Sequence, residues 1–250
     1  MRLIEGVHLV GSGEMRLSEA HDGHVYLLDC GSELALVDCG AGLDIRPLLA
    51  NLRADGFDPV DIGYILLTHA HADHAGGCRA LKEIGGAEVL CSAYEGRLLA
   101  EGSDEELGLN VARRAGIYPP DYVYRHVTPD RIVEHGQLLT LGRCEVQVLI
   151  VPGHSPAAAC FLVTLGGRRI LFSGDTVFHR GTIGLGNWAG SSLGAYRRFI
   201  GRLSGLGVDV LLPGHFMWAL AGGQEHLDAA VRNLEEAWVP PAWQHYHPHR

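Results

Sequence analysis

Residues 69–74 read His-Ala-His-Ala-Asp-His, four metal-type side chains within six positions. A divalent ion needs neutral imidazoles and carboxylates converging on one point. His69 and His71 are two apart, so in extended chain both face the same side. Asp73 and His74 come next, where the chain turns toward the next helix, and they can serve a neighbouring point. Burying several unsatisfied polar groups would cost roughly 1–3 kcal/mol each, and a metal removes that cost. Three further candidates stand far along the chain: His154 in Pro-Gly-His-Ser-Pro, Asp175 in Ser-Gly-Asp-Thr and His215 in Pro-Gly-His.

The elements around these residues explain how they could meet. Residues 6–10, 24–28 and 34–37 alternate as short strands, consistent with an antiparallel meander. In 45–55, Leu48, Leu49 and Leu52 recur at helical spacing. The nearly all-apolar run 62–67 has the character of a strand buried on both faces, and it delivers the chain into the His-rich loop. Strands are expected at 145–151, 161–164, 169–172 and 208–212, with a hairpin at Gly166-Gly167 and a helix near 193–203. Each candidate ligand lies just past a strand end, and loops at strand ends converge on one rim of a sheet. Residues 93–101 read as a helix. The remainder of 92–135, with its proline-interrupted aromatic stretch 117–124, is either a surface connection or a wall of the pocket.

Composition narrows the function. The chain has 250 residues, 47% hydrophobic and 20% charged, enough to build a sizeable core. Its 20 Lys+Arg against 29 Asp+Glu give a net charge of -9, which repels a phosphate backbone and argues against nucleic acid as a partner. No run of ~18 apolar residues is present for a membrane span, and the N-terminal residues lack the apolar core of an export signal. With six cysteines and no CxxC pair, the expectation is a cytoplasmic protein with reduced, buried thiols. The partner is then a small-molecule substrate, and a homo-oligomer is left open.

The segment 68–77, Thr-His-Ala-His-Ala-Asp-His-Ala-Gly-Gly, resembles the HxHxDH motif of the metallo-β-lactamase-fold hydrolase superfamily. Asp38 in a VDxG-like turn and the motifs at His154, Asp175 and His215 appear in the family's order, so the resemblance spans residues 5–220. It implies one α/β domain over 1–250, a four-layer αβ/βα sandwich with two mixed β-sheets face to face and helices outside. Residues 221–238 would form a closing helix and 239–250 a tail. It further implies that His69, His71 and His154 bind one ion, that Asp73, His74 and His215 bind a second, and that Asp175 bridges them. Asp38 would orient a ligand through a hydrogen bond, with a helix N-cap as its alternative role. Two divalent ions are expected, zinc first, with iron or manganese also compatible with these donors.

Such a pair would lower the pKa of a bridging water toward ~7, and the resulting hydroxide would attack a carboxylic thioester, ester or lactone. Asp73 would carry the proton. Residues 173–178 and 181–184 are similar to the glyoxalase II-like thioesterase branch, although only 35 residues remain after His215 (250 − 215), too few for that branch's helical glutathione-binding domain. Lactonases usually carry a tyrosine three residues after the bridging aspartate, where this chain has Phe178. The β-lactamases closest in motif lack that aspartate. Persulfide dioxygenases of the same fold use one iron, and the related nucleases act on phosphodiesters. Residues flanking the ligands are expected to form an apolar, aromatic pocket: Phe178, His179, Arg180, Asn187, Trp188, Phe216 and Trp218, together with Tyr118 and Tyr122.

Overall fold

The computed structural model describes residues 1–236 and 238–243. The first strands, β1 (Arg2–Ile4), β2 (Val7–Gly11), β3 (Val25–Asp29) and β4 (Leu34–Val37), form an antiparallel meander. Helix α1 (Arg46–Ala54) then carries the chain over to β5 (Ile62–Leu66), which lies parallel to β4. Short α2 (Ala72–Ala75) and α3 (Cys78–Gly85) lead to β6 (Glu88–Ser92), and α4 (Ala93–Glu101) and α5 (Leu109–Arg114) lead to β7 (Arg131–Val133), both parallel additions. The result is a seven-stranded mixed sheet in simple sequential order.

The second sheet has five strands. β8 (Leu138–Leu141), β9 (Cys144–Ile150), β10 (Ala159–Leu165) and β11 (Arg168–Gly174) pair antiparallel, and after α6 (Leu193–Phe199), β12 (Val210–Pro213) joins parallel to β11. The β10–β11 turn is Gly166-Gly167, both at positive φ (57° and 76°). A two-residue hairpin loop of matching twist requires that conformation, and glycine adopts it without Cβ strain.

Strand alternation sets the layers. On β9 and β10, Val146, Val148, Phe161 and Val163 meet Leu9, Tyr26, Leu28 and Val37 in the core between the sheets. Their neighbours Leu149, Cys160 and Leu162 face outward to Tyr196, Leu203 and Leu227 of the helical layer, which includes α7 (Gly223–Glu235). The outer face of the first sheet buries Leu48 and Leu52 of α1 against Leu27, Leu36 and Ile65. Two mixed sheets face to face with helices outside are the four-layer sandwich expected.

Some boundaries differ. Strand β5 is not buried on both faces throughout: Ile62 at its start packs against the α1 leucines, but Gly63 is exposed and Tyr64 only half-buried at the edge of the inter-sheet core. The closing helix stops at Glu235, before Trp238, and the expected tail lies outside the described residues from 244 onward. All six cysteines are buried and free. No helix among the described residues is long and apolar enough to cross a membrane.

Candidate metal centre

The apolar run of β5 leads into Thr68, and Asp38, just past the neighbouring β4, anchors the His-rich loop that begins there. Asp38 accepts from the Thr68 backbone N–H (2.8 Å) and hydroxyl (2.8 Å), and from His74 Nδ1–H (2.8 Å). The carboxylate must receive a proton from that imidazole, so His74 is left with a bare Nε2, the ligand form. Asp38 caps no helix: α1 begins eight residues later, at Arg46.

The loops after β5 and β9 bring three histidines together. His154 Nε2 lies 3.1 Å from His69 Nε2 and 2.9 Å from His71 Nδ1. His154 Nδ1 donates to the Gly184 carbonyl at 2.6 Å, which aims Nε2 inward. Gly184 is required here: a Cβ would sit 2.7 Å from His154 Nδ1 and nearer still to the Asp175 carbonyl.

Beside them, the loop after β12 presents His215. Its Nε2 is 3.1 Å from Asp73 Oδ2 and 3.3 Å from His74 Nε2. Asp175, past β11, spans the two groups: Oδ1 is 3.4 Å from His74 Nε2, while Oδ2 is 3.7 Å from both His154 Nε2 and His215 Nε2. Three overlapping sets, His69/His71/His154, His69/His74/Asp175 and Asp73/His74/His215, each hold their ligand atoms within 4.8 Å of one another. All seven residues singled out for metal binding thus converge.

The electrostatics fit cations. Three ring nitrogens facing one point cannot all donate to one another, and Asp175 Oδ1 is buried without a hydrogen-bond partner. Burial pushes His69 and His154 down and His71 to about 3, so these imidazoles are neutral. At His74 and His215 burial is outweighed by Asp175 and Asp73, and His215 rises to about 10. The neutral imidazoles of His69, His71 and His154, the carboxylates of Asp73 and Asp175 beside His74 and His215, and the absence of a thiol among them suit divalent ions of the zinc, iron or manganese type. Binding of such ions would displace the extra proton that His74 and His215 hold in their absence.

Sequence reasoning missed several supports. Glu14 lies 3.3 Å from His215 Nδ1 and accepts from the Phe216 N–H at 2.8 Å. His24 Nε2 meets the Phe216 carbonyl at 2.8 Å. Together they hold Phe216 at φ +63°. Buried Glu95 joins two ligand loops. None of the three belongs to a recurring pattern that single-sequence reading could detect.

A cavity of about 270 Å³ opens on His71, Asp73, His154 and Asp175. Its walls include Leu107, Val111, Ile117, Tyr118, Trp188 and Trp243. Of the residues expected there, Tyr118, Asn187 and Trp188 line it. The other six lie elsewhere. Phe178 is fully buried against Phe216 and Trp243, behind His215. After it, the chain turns outward to α7, where His179 packs on the His226 ring and the Arg180 N–H donates to His226 Nδ1. Trp218 packs on His24 and the inter-sheet core. Tyr122 stacks beneath Tyr118 and donates to the Ala41 carbonyl at 2.9 Å. The aromatic stretch is thus part wall and part buttress. Trp243, which sequence reading left in the tail, reaches the cavity because Ile183 N–H bonds the Pro241 carbonyl.

Comparison with known proteins agrees with this arrangement. The chain is 32% identical over 207 residues to an acyl-coenzyme A thioesterase, MBLAC2, of Gallus gallus, covering 74% of this chain and 70% of that one. It is 34% identical over 196 residues to a hydroxyacylglutathione hydrolase of Anaeromyxobacter dehalogenans, covering 78% and 61%. It spans about half the length of other curated relatives, among them a fungal ACP thioesterase. A metallo-beta-lactamase family protein of Thermus thermophilus superposes with a TM-score of 0.72 at 25% identity, over 92% of this chain and 80% of that one. Residues 19–215 match the model of the metallo-beta-lactamase superfamily, and the chain belongs to that family.

Proposed function

We propose that the chain is a two-metal hydrolase that cleaves thioesters of uncharged, apolar acyl groups. The observation that carries this reading is the joining of seven converging ligands to a cavity walled by Leu107, Val111, Ile117 and Trp188. Two divalent ions, zinc in the first instance, would polarise the acyl carbonyl and acidify water toward neutral pH. The protein's own residues do the rest. The apolar walls take the acyl group and exclude bulk water. The Asp73 carboxylate stands between His215 and the cavity, placed to take a proton and pass it to the departing sulfur. Asp38, through His74, and Glu14, beside His215, hold the ligand rings in place.

Thioesterase relatives support the thioester over the lactone, as does Phe178, a residue without a hydroxyl and buried behind His215, at the position where lactonases carry a tyrosine. The test is a screen of acyl thioesters of increasing length, lactones, β-lactams, phosphodiesters and a persulfide on metal-analysed protein, with His71→Ala alongside. The expected outcome is thioester hydrolysis that His71→Ala abolishes. Activity untouched by that substitution, or one iron per chain with oxygen uptake on the persulfide, would overturn the reading.

A further inference from the structure

We infer that Glu95 is a positioning residue that sets the geometry of the three-histidine half of the metal centre. The inference rests on the metal-binding reading above and is independent of the substrate.

Glu95 lies in the first turn of α4, outside the motifs that announce the site, and its side chain is 1% exposed. A buried carboxylate without a paired cation is costly unless hydrogen bonds compensate it. The nearby Arg97 is engaged with Glu106 instead. Glu95 is held by three donors. Oε2 accepts from the Ala70 N–H at 3.0 Å, and Oε1 accepts from the Ser155 hydroxyl at 2.7 Å and the Ala157 N–H at 3.2 Å.

Those donors identify its role. Ala70 stands between His69 and His71, and Ser155 comes directly after His154. One side chain therefore ties together the two loops that carry all three of these ligands. The tie is reinforced on both sides: Tyr124 donates to the Ala70 carbonyl at 3.0 Å, and Ser92 donates to the Ala157 carbonyl at 2.8 Å. The ligands Asp73, His74 and His215 have other supports, Asp38 and Glu14. Glu95 does not line the cavity, and its hydrogen bonds among the described residues go to Ala70, Ser155 and Ala157 rather than to a ligand ring, so its effect passes through loop spacing. Metal–ligand distances tolerate only about 0.2 Å.

The experiment measures zinc affinity by chelator competition on the full chain, in two backgrounds that isolate the halves. With His215→Ala, binding reports the three-histidine half; with His71→Ala, it reports the other. Glu95→Gln keeps the volume but replaces one acceptor oxygen with a donor, so one loop loses its partner. Glu95→Ala removes both. The expected result is a loss of about 10- to 100-fold, the range for residues that orient ligands, in the His215→Ala background and no change in the His71→Ala background. Ser155→Ala, which removes one of three bonds, should give a smaller loss with the same selectivity. Equal weakening of both halves would mean a general packing role and would overturn the inference, as would unchanged affinity in both. A parent chain that binds no zinc would remove the metal reading itself. A chain that binds zinc but hydrolyses no thioester would remove only the proposed substrate.

Discussion

Gly214 offers a direct test of how closely the ligands are packed. A Cβ built there falls 2.6 Å from His74 Cε1 and closer still to Asp175 Oδ1, with the Gly174 carbonyl carbon at 3.2 Å. Ordinary contact begins near 3.4 Å, so His74 alone must retreat about 0.8 Å (3.4 − 2.6), and Asp175 further. That is several times the ~0.2 Å tolerance of a metal–ligand distance. Neither residue can yield easily, since Asp38 holds His74 from behind and the chain around Asp175 is buried. Gly214→Ala should therefore cost about 1–3 kcal/mol of metal-free stability, typical of overpacking, and displace His74 and Asp175, two ligands of the proposed metal pair. The three-histidine half loses only the reach of Asp175. Metal analysis after equilibrium dialysis should find close to one ion per chain where the parent holds two, with hydrolysis down about 100-fold or more. Gly201→Ala, with nothing within 4 Å of its Cβ, is the control and should match the parent. Two ions bound by Gly214→Ala at parental affinity would show that Asp175 and His74 are not locked against this glycine, and the reasoning would fail.

Two further outcomes are expected. Burial raises the Asp22 carboxyl from its ordinary 3.8 to about 6, against hydrogen bonds from Ser18 and the Ala41 N–H. The folded chain then binds this proton more readily than the unfolded one, so Asp22's contribution is most favourable below about pH 4 and declines as pH rises through 6. Asp22→Asn should flatten the fall in unfolding free energy, read from urea titrations, between those values, by roughly 2–3 kcal/mol in total; an unchanged slope would refute the assignment. At the cavity wall, each added substrate methylene that is buried should raise kcat/KM by about fourfold, from ~0.8 kcal/mol per CH₂, until the space is filled. Val111→Glu should abolish that dependence, and a flat chain-length profile in the parent would count against an apolar acyl site.

Much of the metal centre was legible because its residues stand at strand ends, where the apolar run 62–67 or the Pro-Gly-His turns mark both the strand and its exit. Local signals also gave the strand at 145–151 and the hairpin at the glycine pair 166–167, whereas the arrangement in two facing sheets followed from the family resemblance. The pocket was less legible. Flanking a ligand in sequence does not place a side chain beside it in space: Phe178 turns inward behind His215, while His179 and Arg180 turn outward to α7. Leu107 and Val111 come from irregular chain and a short helix, and Trp243 from residues read as tail. Glu95 carries no local signal beyond its place in the helix at 93–101, because its partners lie 25 and 60 residues away.

The ligands all stand where the chain leaves a strand, on loops or, for Asp73 and His74, on short α2, whereas most of the cavity wall is built by residues 107–118, 187–188 and 243, outside every strand. On the proposed reading, reaction and substrate choice are thus encoded largely in separate stretches of chain. Wall positions clear of the ligand rings, such as Leu107, Val111 and Ile117, can be exchanged while the sandwich and its ligands stay in place, whereas Trp188 and Trp243 pack on His154 and His215 and are tied to them. A lineage built on this frame can thus change its diet while keeping its chemistry. For the engineer, libraries confined to Leu107, Val111 and Ile117 should alter the acyl group accepted while sparing the rest of the molecule.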